Sequence, residues 1–258
     1  MASKTEPLVC CVCLTADRQE FTARAARCFG AQTYGNKHML IFDTGAKSFD
    51  LQWYPNNITV ATAEPFRGHT IGSLRNAANA LLPKSEIIAH WDSDDWSHPS
   101  RLTEQVAFLQ SSGAEAVGFN EMLFAREDKI FKQRDDGPPA IRAWLYTHGG
   151  SKPYALGTSL CYWRKTWEAR PFLDGPKNPE ATSEYQHWNV NAVRLASCSS
   201  IPPKELLHIS DAGEPRMIAR IHGGNTSAAY SLERKIAEGS REWYRVPQWD
   251  ARVRELLK

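Results

Sequence analysis

No stretch of this chain stays apolar over the ~18–20 residues that a membrane-crossing helix needs. The opening residues Met1-Ala2-Ser3-Lys4-Thr5-Glu6-Pro7 lack the apolar core of a secretory signal. The expectation is a cytoplasmic protein with no membrane span. Charge of one sign is also missing: 31 Lys and Arg stand against 29 Asp and Glu, so no overall basic field argues for nucleic acid. Internal repeats and low-complexity segments are absent. The six cysteines form no zinc-site pattern. Cys10, Cys11 and Cys13 lie inside the apolar run Leu8–Leu14, where a free thiol acts as a small hydrophobe. Zinc ligation by Cys11, Cys13 and a later His is the less favoured alternative.

Within an ordinary globular composition, 42% hydrophobic over 258 residues, one segment stands out. In His90-Trp91-Asp92-Ser93-Asp94-Asp95-Trp96, three carboxylates follow directly on the apolar run Ile87-Ile88-Ala89. An apolar run ending in clustered acids reads as a buried strand that opens into a polar site. Carboxylates so close repel one another and need a compensating cation. Hard oxygen ligands suit Mg²⁺ or Mn²⁺. The plainer alternative is a solvated acidic turn.

Apolar segments alternate with helical ones through the first half. Strands are expected at Leu8–Leu14, Met39–Phe42, Ile58–Ala61, Ile87–His90 and Ala116–Phe119. Helices are expected at Gln19–Phe29 and Thr70–Leu82, and from Pro99 to Ser112. This alternation predicts an α/β fold with a mostly parallel central sheet flanked by helices. Ligands of such sheets bind at the carboxyl ends of the strands, where Asp43, Asp92–Asp95 and the Thr15–Arg18 turn all fall. The second half is less regular. Arg126–Gly137 reads as a hairpin or mobile loop, Tyr154–Trp163 as a strand, Ala181–Val193 as a helix and Met217–Ile221 as a strand. Two C-terminal helices are expected near Leu232–Glu238 and Ala251–Leu257.

Taken in order, five motifs resemble the family 2 glycosyltransferases, which have the GT-A fold. They are Thr15-Ala16-Asp17-Arg18, Gln32-Thr33-Tyr34, Asp43-Thr44-Gly45-Ala46, the Gly68 to Gly72-Ser73-Leu74-Arg75-Asn76-Ala77-Ala78 segment, and Asp92-Ser93-Asp94-Asp95 with Pro99 and Leu102 behind it. The resemblance covers residues 8–125 well and continues more weakly to about 227. It implies one GT-A domain over 1–258. Within it, 8–125 is a Rossmann-like nucleotide-sugar half, 126–227 an acceptor and catalytic half, and 228–258 a helical extension.

The resemblance also implies roles. Thr15, Arg18, Asp43, Arg75, Asp92 and Ser93 would bind the donor nucleotide-sugar. Asp94 and His222 would hold Mn²⁺ or Mg²⁺. Asp95 would take part or cap the following turn. Such enzymes place an acidic pair at a helix start, and its second carboxylate is the base. The counterpart here is Ser183-Glu184, which lacks the pair, so Glu184 alone is the base candidate and Glu180 its competitor. Trp163 and Trp188 are candidates for stacking on an acceptor.

The expected activity is metal-dependent transfer of a sugar from a nucleotide-diphosphate sugar, a UDP-sugar by preference, to an acceptor hydroxyl with inversion. The acceptor class stays open between a glycan, a small molecule, a protein and a modified nucleic-acid base. The alternatives are a non-catalytic nucleotide-sugar-binding protein and a nucleotidyltransferase. The nucleotidyltransferase should carry a Gly-rich phosphate loop, and Thr15–Arg18 has none.

Overall fold

The computed structural model describes residues 6–47, 55–82, 84–127, 141–150, 154–174, 194–200, 214–222 and 242–258. Its first half is built on β1 (Val9–Thr15), β2 (Lys37–Asp43), β3 (Ile58–Thr62) and β4 (Ile87–His90), all parallel in the order β3-β2-β1-β4. Helices α1 (Gln19–Gly30), α2 (Ile71–Ala80), α3 (Arg101–Ser112) and α4 (Arg164–Ala169) cover this sheet.

The period of two along the strands sorts their side chains onto opposite faces. Val9, Cys11, Cys13, Met39 and Ile41 pack with Ala25 and Phe29 of α1 and Leu102 and Val106 of α3. Cys10, Val12, Leu40, Phe42 and Ile88 pack with Leu74 and Ala78 of α2 and Trp167 of α4. Burial on both faces is why the sequence of β1 is continuously apolar. It also explains the cysteines. All six are free, and burial pushes the Cys10 thiol up to about 11 and the Cys161 thiol up to about 12. Helix α2 starts at Thr70, whose hydroxyl accepts from the Ser73 N–H at 3.2 Å. Helix α3 ends at Gly113 in the left-handed conformation (φ 63°), which glycine adopts without a Cβ clash.

The second half makes the sheet mixed. β5 (Trp96–Ser97), β6 (Ala116–Glu127), β7 (Ile141–Thr147), β8 (Cys161–Trp163), β9 (Leu195–Ser199), β10 (Met217–Ile221) and β11 (Trp243–Arg245) join it. The 12-residue strand β6 pairs antiparallel with β7 and β8 and parallel with β9 and β10. The C-terminal helix α5 (Asp250–Leu256) buries Val253 and, just beyond its end, Leu257 against Leu123, Ala143 and Ile218. Among the described residues, no helix is long and apolar enough to cross a membrane.

The helices of the first half and strands β2 to β4 lie within about three residues of their expected bounds at either end. β6 runs eight residues beyond the expected Phe119. Strands β6 and β7 flank residues 128–140 as the arms of an antiparallel pair, with Glu127 opposite Ile141. The Tyr154–Trp163 strand is corrected. Only Cys161–Trp163 is strand, and a 3₁₀ turn occupies Gly157–Ser159. Tertiary bonds bend the chain there: the carbonyls of Gly157, Thr158 and Ser159 face the His90 ring, the Arg101 guanidinium and the Gln105 amide respectively. The expected helices at 181–193 and 232–238 lie outside the described residues.

Candidate active site

Strands β1, β2 and β4 all end on the same edge of the sheet, with Thr15 level with Asp43. After His90 the chain leaves the sheet, and each acid of the 92–95 segment meets a different partner. Asp92 accepts from Arg75 Nη2 at 2.7 Å. Asp94 Oδ2 lies 2.9 Å from His222 Nε2 and 3.4 Å from Arg18 Nη1. Asp95 accepts from the Thr158 hydroxyl at 2.5 Å and from the Arg220 N–H at 3.0 Å. Burial, reinforced by the charges of Asp94 and Asp92, pushes the Asp95 carboxyl well above the usual carboxylate range. Cationic compensation for the acids therefore includes Arg75 and Arg18 of the chain itself.

Asp43 is buried at the end of β2, and its Oδ1 accepts from the Gly45 N–H at 2.9 Å. Loss of solvent raises its pKa, and the nearby Asp17 charge adds to the rise. Asp17 is held at φ 54°, an uncommon conformation for a residue with a Cβ. Its carboxylate accepts the N–H groups of Ala46 (2.8 Å) and Lys47 (3.1 Å) and pairs with Arg67. The loop after β1 is thus tied to the loop after β2. The two approach so closely that a Cβ on Gly45 would sit 2.5 Å from the Asp17 nitrogen and 2.9 Å from Asp43 Oδ1. Thr15 closes the same junction: its carbonyl accepts from the Thr44 N–H, and its hydroxyl meets that of Thr22 at 2.9 Å.

Asp43, Asp92, Asp94 and His222 therefore cluster around one edge of the sheet, while Arg75 and Ser93 stand deeper. Arg75 is 2% exposed, and besides Asp92 it donates to the Val12 carbonyl at 2.8 Å. The guanidinium props Asp92 from behind. Ser93 is buried as well. Glu184, Glu180 and Trp188 lie outside the described residues. Trp163 is corrected as a stacking candidate. It pairs with Ile87 at the start of β4, three residues and about 10 Å along the strand from His90, after which the acidic segment begins.

Four contributors escaped the sequence reading. Phe21, in α1, stacks its ring on His222 with centroids 4.7 Å apart. Asp17 lies inside a quoted motif, but its positive φ has no local sequence signal. Thr158 meets Asp95 across 63 residues. Arg101, 1% exposed, holds the His90 and Thr158 carbonyls and stacks on Trp91.

Among the described residues, no three His, Cys, Asp or Glu side chains form a metal cluster. The Asp94–His222 pair nevertheless fits a divalent ion of the Mn²⁺ or Mg²⁺ type. A carboxylate oxygen and an imidazole nitrogen converge from segments 128 residues apart. Such ions commonly take one or two protein ligands and complete their shell with water and substrate phosphates.

No family model matches this sequence, and no curated protein matches it. Solved structures do. The chain is similar to Staphylococcus aureus TarS 1–349 in complex with UDP-GlcNAc (TM-score 0.58, 16% identity, 90% of this chain and 66% of that one). It is also similar to the mannosyltransferase PcManGT from Pyrobaculum calidifontis in complex with GDP-Man and Mn²⁺ (TM-score 0.57, 12% identity, 98% and 69%). Against the longer TarS structure the match covers 83% of this chain but 37% of that one. The chain thus spans well under half of that relative's length. At these identities the likeness establishes the fold: an α/β architecture of the GT-A glycosyltransferase type.

Proposed function

We propose that this chain is a family 2 type glycosyltransferase that moves a sugar from a nucleotide-diphosphate sugar, a UDP-sugar by preference, to an acceptor hydroxyl with inversion. The observation that carries the reading is the meeting of Asp94 with His222, beside Asp43 and Asp92, at the carboxyl edge of parallel strands in a GT-A fold. This is where α/β sheets take nucleotides.

In this reading Asp43 accepts hydrogen bonds from the base or ribose of the donor, with Thr15 and Arg18 beside it. Asp92, oriented by Arg75, takes the ribose or sugar side. Asp94 and His222 would hold Mn²⁺ or Mg²⁺. Bound there, the ion neutralises charge that develops on the leaving diphosphate. Glu184, or Glu180 in its place, takes the proton of the acceptor hydroxyl as that oxygen bonds to the anomeric carbon. The bond from this carbon to the diphosphate oxygen breaks, and its electrons leave with the nucleoside diphosphate.

The test is thermal unfolding in the presence of UDP-, GDP-, CMP- and dTDP-sugars, each with Mn²⁺ and with EDTA. A ligand at 100 times its Kd stabilises by about 2.7 kcal/mol. For a chain of this size that raises Tm by roughly 5–10 °C. A shift with a UDP-sugar that EDTA removes is the expected result. No shift with any nucleotide sugar overturns the reading.

A further inference from the structure

A cleft of about 120 Å³ opens beside Asp94, between α1 and the end of α5. Phe21, Trp96 and Leu257 wall it, and Arg24, Arg27 and Lys258 line it. Two carboxylates also face it, but both are already answered: Asp94 by His222 and Arg18, Asp95 by Thr158 and the Arg220 N–H. The cations are not. Among the described residues, Arg24, Arg27 and Lys258 form no ion pair. Arg24 donates to the Leu257 carbonyl at 2.7 Å, and its guanidinium lies 5.1 Å from the Phe21 ring centre. Loss of solvent, then the neighbouring Arg220 charge, depress its pKa against the opposing charges of Glu20 and Glu127. Arg24 is half-buried, Arg27 and Lys258 are exposed, and a group of cations without a direct ion pair among the described residues can take an incoming oxyanion through charge-assisted hydrogen bonds.

We infer that this cleft binds an anionic group, a phosphate ester or carboxylate, carried by the acceptor. The inference rests on the glycosyltransferase reading, because Asp94 then faces the donor diphosphate and the adjoining cleft is left to the second substrate.

The same oxyanion chemistry could come from the donor, so the experiment separates the two sources. The affinities of inorganic phosphate and of glucose 6-phosphate are measured by calorimetry, with and without saturating UDP and Mn²⁺. The proteins are wild type, Arg24→Gln, and Arg27→Gln, whose exposed side chain leaves folding alone. The expected result is binding that persists with UDP present and weakens at least about tenfold in each variant, while UDP affinity is unchanged. The site is overturned by an absence of binding to wild type, by unchanged affinity in Arg27→Gln, or by competition with UDP. Failure of wild type to bind UDP overturns the transferase reading separately, because the phosphate measurement without UDP stands by itself.

Discussion

Arg75 reaches Asp92 from behind, 2.7 Å from carboxylate to guanidinium, while its second nitrogen holds the Val12 carbonyl of β1. The guanidinium fork is what serves both partners, and a lysine has a single point of attachment. Arg75→Lys should lose one of the two bonds and destabilise the fold by about 2 kcal/mol, measured by urea unfolding. It should also weaken donor binding through a misplaced Asp92. Full stability in the variant would show that the fork is dispensable.

Asp94 and His222 should fail together. Asp94→Asn and His222→Gln are each expected to abolish the metal-dependent part of donor binding, and the double variant should be little worse than either, as for groups acting on one ion. Phe21→Leu keeps the volume but removes the ring stacked on His222. It should weaken Mn²⁺ dependence with little change in unfolding midpoint. Additive losses would argue that the two residues serve different ligands.

Asp43 should show a conflict between stability and binding. Burial raises its pKa above the unfolded value near 3.8, so the folded state holds the proton more tightly than the unfolded chain. Stability is then fully present below the unfolded pKa and falls as pH rises through the window up to the raised one. Asp43→Asn removes that penalty. The variant should melt higher than wild type at pH 7, the gap closing as pH falls towards 4, and should bind donor at least about tenfold more weakly. Equal melting at both pH values would show that the buried carboxylate carries no penalty.

Gly45→Ala would place a methyl against the Asp17 backbone and the Asp43 carboxylate. Overpacking of this kind costs about 1–3 kcal/mol. Here it should push apart the two loops that Asp17 ties together, so the donor KM should rise more than kcat falls.

Glu184→Gln should spare donor binding and lower turnover about 10²–10⁴-fold, the usual weight of a general base. Glu180→Gln should leave turnover near wild type. The reverse pattern would move the base to Glu180.

The first half was legible because its signals are local. Apolar runs bounded by turns gave β1 to β4, and the helical segments between them gave α1 to α3. The acids after β4 were visible for the same reason. What the sequence withheld depends on contacts across tens to hundreds of residues. The Gly157–Ser159 turn lies inside the Tyr154–Trp163 run read as a strand, and His90, Arg101 and Gln105 hold its carbonyls from outside. Arg75 reads as a donor-binding residue, and its burial behind Asp92 follows from how α2 lies across β1. The stacking of Phe21 on His222 joins α1 to the residue after β10, which no periodicity reports.

The acidic turn after β4 has one further consequence, for how the protein can be divided. Its three carboxylates are fastened to α2, to the residue after β10, and to both the Gly157–Ser159 turn and the β10 backbone. The seam between the two proposed halves therefore runs through the proposed active site and not around it. A fragment ending near residue 125 would keep most of the residues proposed for the donor and lose what aims Asp94 and Asp95. Recombination of such halves between related proteins should fail unless the partners of this one turn travel with it.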